Sequence, residues 1–190
     1  IMIAHGLQMQ LMGIRSVVED FSVITTGIFM SGYFMGYFLG SNTTPKLVQK
    51  VGHIRVFAAF ASLASLSALL AAVYVNPVMW TLSRFITGIS LVSCYIVTES
   101  WLNDRATNKN RGQLLSAYMI ILYSGLGIGM LLLNVSDPTN YEPFILVSVL
   151  LSLALVPILL TKRSAPKFKK IGTISVKELF EISPLGTVSS

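Results

Sequence analysis

The chain has 190 residues, of which 53% are hydrophobic and only 12% are charged. Soluble domains carry about 25% charged residues, so this chain has too few of them to cover a water-facing surface. Its net charge of +6 does not indicate a nucleic-acid partner, because the basic residues lie between apolar blocks. The single cysteine excludes a disulfide within the chain, and two histidines are too few for a metal site. No metal and no cofactor are therefore expected.

The apolar blocks predict an all-α polytopic membrane protein. A membrane-spanning helix needs about 20 predominantly apolar residues. Residues 1–13 are predicted to be the last turns of a first helix. Five further spans are predicted at residues 21–40, 54–74, 78–101, 113–134 and 143–161. Asn76 followed by Pro77 is typical of a helix start.

The predicted loops divide sharply by charge. Twelve of the fourteen lysines and arginines fall in or beside loops 41–53, 102–112 and 162–183, on one side of the predicted bundle. The other side has only Arg15, and Arg84 lies within a span. Basic loops stay in the cytoplasm, so these three loops are predicted to be cytoplasmic in a plasma membrane, the inner membrane of a bacterium.

The ends of the chain predict a piece of a longer protein. Ile1 already lies in an apolar stretch without a basic leader, and Ser190 follows soon after Pro184. Residues 162–183 are expected to be a cytoplasmic linker with a short amphipathic helix, or alternatively a plain flexible connection. Residues 184–190 are expected to begin a further span.

Arg84 is the most costly residue of the predicted spans, because an arginine in the bilayer costs at least about 2.5–3.5 kcal/mol. It is predicted to face a polar cavity, with Tyr95 on the same helix face. The alternative is that its side chain snorkels to the outer interface. Four other polar residues of the spans are candidates for hydrogen bonds to a solute, with helix packing as the alternative role: His5, Gln8, Tyr33 and Tyr123.

Glycines at intervals of four residues mark the second span. Gly32, Gly36 and Gly40 share one face, which allows a neighbouring backbone to approach closely. This ridge favours helices that move past each other, or alternatively static packing. At the cytoplasmic end of the span 78–101, Glu99 is expected to pair with Arg105, with Arg111 or with a basic residue of the 41–55 region. The alternative is a solvated carboxylate at the membrane interface.

Two motifs resemble the major facilitator superfamily. The run from Pro45 to Arg55 is similar to that family's loop between helices two and three, with Gln49 where the family has an aspartate. Arg84 followed by Gly88 resembles its fourth-helix motif, whose arginine is associated with proton coupling.

The stretch Glu99–Asp104, followed by Asn110-Arg111-Gly112, resembles the YcaD-like branch of the superfamily, as does Ile182–Gly186. The resemblance implies the N-terminal six-helix bundle of a twelve-helix transporter, truncated to run from the end of helix one to the start of helix seven. It implies a small-molecule solute, a possible proton and a missing C-terminal half as partners, besides the lipid bilayer.

Secondary active transport by alternating access is the function that these features predict. Arg84 is expected to be the intramembrane anchor or coupling residue. The cytoplasmic gate is expected to comprise Lys50, Gly52, Arg55, Glu99, Asp104 and Arg111. The alternative is a sensor or assembly subunit that moves nothing. A membrane enzyme is not expected, because no cluster of acidic residues or histidines lies at either interface.

Overall fold

The computed structural model describes residues 1–160, and the regular structure of these residues is all helical, without a strand. The helices are α1 (Met2–Val18), α2 (Val23–Val51), α3 (His53–Val73), α4 (Pro77–Arg105), α5 (Arg111–Leu132), α6 (Glu142–Leu153) and α7 (Leu155–Leu159). A 3-10 turn, Leu133–Val135, extends α5. The predicted linker 162–183 and the predicted span 184–190 lie outside the described residues.

Five stretches within residues 1–160 are long and apolar enough to cross a membrane. They are Val23–Val51, His53–Val73, Pro77–Arg105, Arg111–Val135 and Glu142–Leu159. Each overlaps one of the five full spans predicted from the sequence, which confirms the all-α membrane fold.

Three helices extend past their predicted ends, and the simplest case is α4, which runs to Arg105, four residues beyond the predicted end at residue 101. Helix α2 continues to Val51, so residues 41–51 are helix and not the predicted loop, and only Gly52 separates α2 from α3. Its buried face explains the extension, because Thr44 and Val48 continue the buried row of Gly32, Gly36 and Gly40. Helix α1 likewise runs to Val18, five residues beyond the predicted end at residue 13.

Local sequence signals fix several other helix ends. The Asn76 side chain accepts a hydrogen bond from the Met79 amide at 2.9 Å, and Pro77 occupies the first turn of α4, as predicted. Ser22 caps α2 by accepting from the Thr25 amide. The last span is interrupted at Ala154, between α6 and α7. Pro157 follows by three residues, and a proline disrupts the preceding helical turn.

The helices form two groups of three that repeat the same packing. Helix α2 packs along α4, and α3 packs on α4. In the other group, α5 packs along α1, and α6 packs on α1. Contacts between α3 and α6 join the groups. Helices α1, α2 and α3 therefore make contacts equivalent to those of α4, α5 and α6, in that order. Such a correspondence is the nested repeat seen in transporter bundles.

Candidate functional site

Arg84 lies inside the bundle, about 10 Å along α4 from its start at Pro77. Its side chain is only 3% exposed, so it does not snorkel to the interface. Its Nε and Nη1 atoms are buried without a hydrogen-bond partner. The one salt bridge within residues 1–160 joins Arg15 to Glu19, far along the chain from Arg84. The structure thus places an arginine without an anionic partner among the described residues.

An aromatic ring of α2 lies against this guanidinium, and a ring of α1 stacks on it in turn. The Cζ atom of Arg84 sits 4.8 Å from the centre of the Tyr33 ring, within the range of a cation–π interaction. His5 of α1 stacks on the same tyrosine, with ring centres 5.4 Å apart and planes 18° apart. The Nδ1 atom of His5 is also buried without a hydrogen-bond partner.

Hydroxyl and amide groups continue the polar row one turn further along α1 and α4. The Gln8 side chain, 1% exposed, donates to the Thr87 hydroxyl at 3.4 Å. Thr87 in turn shares a hydrogen bond with the Ser67 hydroxyl of α3 at 2.9 Å. We call His5, Gln8, Tyr33, Arg84 and Thr87 the polar cluster.

The polar cluster occupies the seam between the two groups of helices. Helix α1 packs closely on α5 and α6, whereas it meets α2 and α4 mainly through side chains. A layer of polar side chains between two packed groups is where a transporter bundle holds its solute. Sequence reasoning selected four of the five members. It missed Thr87, which lies one turn after Arg84 and gives no signal beyond that spacing.

The remaining predicted solute contacts lie elsewhere. Tyr95 lines a largely apolar cavity of about 550 Å³ between α1, α4 and α5, together with Thr98 and Tyr118. Its hydroxyl is buried without a hydrogen-bond partner. Tyr123 is 67% exposed on α5, so the structure does not bring it into the polar cluster.

The predicted gate residues cluster at one end of the bundle. Gly52 joins α2 to α3 with a φ of 88°, a conformation that favours glycine. Next to it, His53 shares a hydrogen bond with the Ser100 hydroxyl at 3.0 Å and stacks on Trp101, so this junction is attached to the end of α4. The charged candidates are all exposed: Lys50, Arg55, Glu99, Asp104 and Arg111.

The structure agrees with the solvated alternative for Glu99, which is exposed and forms no salt bridge within the described residues. Its carboxylate accepts a hydrogen bond from the Tyr118 hydroxyl at 3.3 Å. Neither Arg105 nor Arg111 pairs with it, although Glu99 and Arg111 line the same pocket of about 220 Å³ between α4 and α5. Arginine side chains at helix ends are stabilised by water, which removes the need for such a pair.

Glycines bring two helices of each group into direct backbone contact. A Cβ atom on Gly36 would overlap the Phe85 carbonyl oxygen, and one on Gly88 would overlap the carbonyl oxygen of Tyr33. We call this crossing of α2 and α4 the first glycine clasp. The ridge that the sequence predicted on α2 therefore packs on α4.

The second glycine clasp joins α1 and α5 in the same way. A Cβ atom on Gly129 would overlap the Ile3 carbonyl oxygen, and one on Gly6 would overlap that of Leu126. Such backbone contact is possible only where both helices present small residues.

A lone arginine at the other end of the bundle has a structural role. Arg15, near the end of α1, pairs with Glu19 and donates to the carbonyl oxygens of Pro138, Thr139 and Asn140. These hydrogen bonds hold the connection between α5 and α6 against the end of α1. This role was not visible in the sequence, because its partners are backbone atoms more than a hundred residues away.

The fold and the site together define a multi-pass membrane protein whose two helix groups enclose a buried polar cluster. The sequence profile of the Major Facilitator Superfamily matches residues 1–186. The chain belongs to this family.

Bacterial relatives agree with this assignment. An MFS-type transporter of Enterobacter sp. (strain 638) is 30% identical over 146 residues, which is 76% of this chain and 38% of that protein. YcaD of Escherichia fergusonii, also described as an MFS-type transporter, is 27% identical over 82% of this chain and 41% of its own length. An MFS-type transporter of Yersinia pestis (strain Pestoides F) is 31% identical over 73% of this chain and 36% of its own. The chain thus spans about two fifths of the length of the curated relatives it matches.

Proposed function

We propose that the chain is the N-terminal part of a secondary transporter that moves a small solute by alternating access. The observation that carries this proposal is the polar cluster, which is buried at the seam between two repeated groups of helices. In transporters built from such repeats, the solute binds at the repeat interface, and the protein opens alternately to each side. Transport, and not catalysis, is the activity in the names of the matched relatives.

The C-terminal half of the transporter lies outside this chain in this proposal. The second six-helix half packs against this bundle and completes the central cavity. The chain's short share of its relatives, 38% of the Enterobacter protein, supports this arrangement.

The protein lies in a bacterial inner membrane in this proposal, with the basic end of the bundle in the cytoplasm. The relatives are bacterial. Lys46, Lys50, Arg55, Arg105 and Arg111 lie at helix ends that meet at the α2–α3 junction and the α4–α5 connection. Arg15 lies at the opposite end, where α1 meets the α5–α6 connection.

The same basic end holds the gate. Gly52 and the contacts of its neighbour His53 with Ser100 and Trp101 link α2 and α3 to the end of α4. Exposed Lys50, Arg55, Glu99, Asp104 and Arg111 are free to contact the second half, closing the cytoplasmic side when they meet it.

Arg84 anchors the solute, or couples its passage to a proton, in this mechanism. Replacing Arg84 by alanine is expected to abolish uptake while leaving membrane insertion unchanged. Wild-type transport by the Arg84→Ala variant would reject this role.

Cysteine labelling tests the proposal without knowledge of the solute. Cys94 is the one cysteine of this chain, so Cys94→Ala, with any cysteine outside the chain replaced as well, provides a background without thiols. In it, a cysteine at Gln8 or Thr87 is expected to react with a membrane-impermeant thiol reagent in whole cells or inverted vesicles. Cysteines at Leu66 and Val149, exposed apolar positions of α3 and α6, are the matched controls and should stay protected by lipid. Protection at all four positions would favour a packed sensor or assembly subunit.

A further inference from the structure

Arg84 is a buried cation without a compensating charge among the described residues. Six carboxylates occur in residues 1–160, and all of them lie at helix ends or in loops: Glu19, Asp20, Glu99, Asp104, Asp137 and Glu142. Arg84 itself is 3% exposed, and two of its nitrogen atoms have no hydrogen-bond acceptor. The interior of the bundle thus carries one positive charge and no negative charge.

The aromatic contact of Arg84 compensates this charge only in part. Tyr33 offers the face of its ring, and such cation–π contacts contribute less than a charge-assisted hydrogen bond to a carboxylate. The ring leaves the in-plane N–H groups of the guanidinium unused. Those N–H groups have the geometry that recognises planar anions.

We propose that the guanidinium of Arg84 binds the carboxylate of a small organic anion, which is the solute of the proposed transporter. The inference rests on the proposed function and names its substrate class. A carboxylate accepts hydrogen bonds from the Arg84 guanidinium and neutralises its charge. His5, stacked on Tyr33, and Gln8, bonded to Thr87, supply further hydrogen bonds from α1, and Tyr33 contributes an aromatic surface beside the anion.

The position of the polar cluster fits a solute that must enter and leave. The Gln8–Thr87 hydrogen bond of 3.4 Å is long, and the seam on that side is closed by side chains only. Separating those side chains exposes Arg84 without breaking either glycine clasp. The close fit around Arg84 favours a small anion over a large one.

Two other sources of negative charge compete with this proposal. One is a carboxylate from the rest of the longer protein that pairs permanently with Arg84. The other is an inorganic anion. The stability of Arg84→Gln distinguishes the first, and a panel of anions distinguishes the second.

The experiment uses the full-length protein that contains this chain, purified in detergent. Any cysteine outside this chain is replaced first. Heating then exposes buried Cys94 to a fluorescent thiol reagent, and the temperature of half-maximal labelling reports unfolding. Without ligand, Arg84→Gln is expected to melt at the wild-type temperature or above, because it removes an uncompensated buried cation. A clearly lower melting temperature would show that Arg84 has a permanent acidic partner, and would overturn the proposal.

The ligand panel pairs carboxylates with their uncharged amides. Benzoate, nicotinate, lactate and succinate are compared with benzamide, nicotinamide, lactamide and succinamide, and with chloride, sulfate and phosphate. At least one carboxylate should raise the melting temperature while its amide does not. Failure of every carboxylate, or equal protection by the amides or by the inorganic anions, would overturn the proposal.

Variants assign the effect to Arg84. Arg84→Gln should weaken carboxylate binding by about 30-fold or more, whereas Arg84→Lys, which keeps the charge, should retain part of it. Arg15→Gln is the matched control, because it removes an arginine outside the polar cluster and should leave binding unchanged. Unchanged carboxylate binding by Arg84→Gln would also overturn the proposal.

Transport measured in proteoliposomes separates this inference from the proposed function. If the protein transports a neutral or cationic solute and no carboxylate protects it, the proposed function stands and the substrate class is wrong. If carboxylates protect the protein through Arg84 and no solute crosses the bilayer, the anion site stands and the transport function is wrong.

Discussion

Replacing Gly36 by alanine should force α2 and α4 apart. The added Cβ would overlap the carbonyl oxygen of Phe85 and would lie 2.9 Å from the Ile89 amide nitrogen. Both atoms belong to the backbone of α4, so no side chain can rotate away to make room. The helices must separate instead, and packing is lost along their whole crossing.

The expected change in the free energy of unfolding is the sum of two opposing terms. Alanine favours a helix over glycine by about 1 kcal/mol, and overpacking costs about 1–3 kcal/mol. Gly27→Ala, in the same helix, provides the helix-forming gain alone, because no atom lies within 4 Å of its added Cβ. The difference between the two variants isolates the packing cost, so Gly36→Ala should be about 1–3 kcal/mol less stable than Gly27→Ala.

The assay is thermal unfolding in detergent, followed by thiol labelling of Cys94, which is 1% exposed in the folded protein. A repeat in the second glycine clasp uses Gly129→Ala, whose Cβ would overlap the Ile3 carbonyl oxygen, with Gly127→Ala as the unobstructed control. If each clasp variant unfolded within about 0.5 kcal/mol of its control, the range of an ordinary surface substitution, the clasps would not be tightly packed and the reasoning would be refuted.

Three further predictions concern the helix ends. Arg15→Gln should cost about 1–3 kcal/mol of stability, since it leaves the backbone carbonyls of the α5–α6 connection without a donor; an unchanged melting temperature would contradict this role. Asn76→Ala should cost about 1 kcal/mol through the lost cap of α4, whereas Asn134→Ala, which loses only a local bond to the Leu131 carbonyl, should melt like wild type. Hydrogen bonds from Thr139 lower the pKa of Asp137. The folded-state pKa is therefore below the unfolded value of about 3.9, so this stabilisation is present above that pH and is lost as the pH falls through the folded pKa. The stability difference between wild type and Asp137→Asn should accordingly shrink in melting curves below about pH 4, and a pH-independent difference would contradict the assignment.

Hydropathy predicted where the helices cross the membrane but not where they end. The five spans follow from the cost of burying charge in lipid, a term that each residue contributes independently of the fold. Residues 41–51 are polar enough to read as a loop, yet they are helical because Thr44 and Val48 pack on the neighbouring helices. Thr44 shares a 2.7 Å hydrogen bond with Ser93 of α4. The signal that could have revealed this was the four-residue spacing, which continues from Gly40 to Thr44 and Val48.

The polar cluster was largely predictable because polar groups in a bilayer are rare and costly. Arg84, Tyr33, His5 and Gln8 were candidates for that reason alone. The sequence could not assign their mutual contacts or exclude Tyr123, since these depend on the rotation of each helix about its axis. Glu99 shows the same limit, because nearby arginines were obvious partners and Tyr118 of the next helix was not.

The two glycine clasps are equivalent in their backbone packing, but the side chains beside them differ. Gly6 of α1 is equivalent to Gly88 of α4. The backbone atoms that contact the partner helix are likewise equivalent, those of Ile3 and Leu7 in α1 and those of Phe85 and Ile89 in α4. The equivalence extends to the partner helices, where Gly125 and Gly129 correspond to Gly32 and Gly36.

The same alignment pairs Arg84 with Met2, and Tyr33 with Leu126. One clasp therefore carries a cation and an aromatic ring where the other carries two apolar side chains. Equal packing in both groups would let each move as a rigid unit, whereas a single charged residue gives the seam one preferred place for a ligand. If transport arises from such a division, substitutions in either clasp should affect stability alike, and only those in the polar cluster should alter which solute is bound.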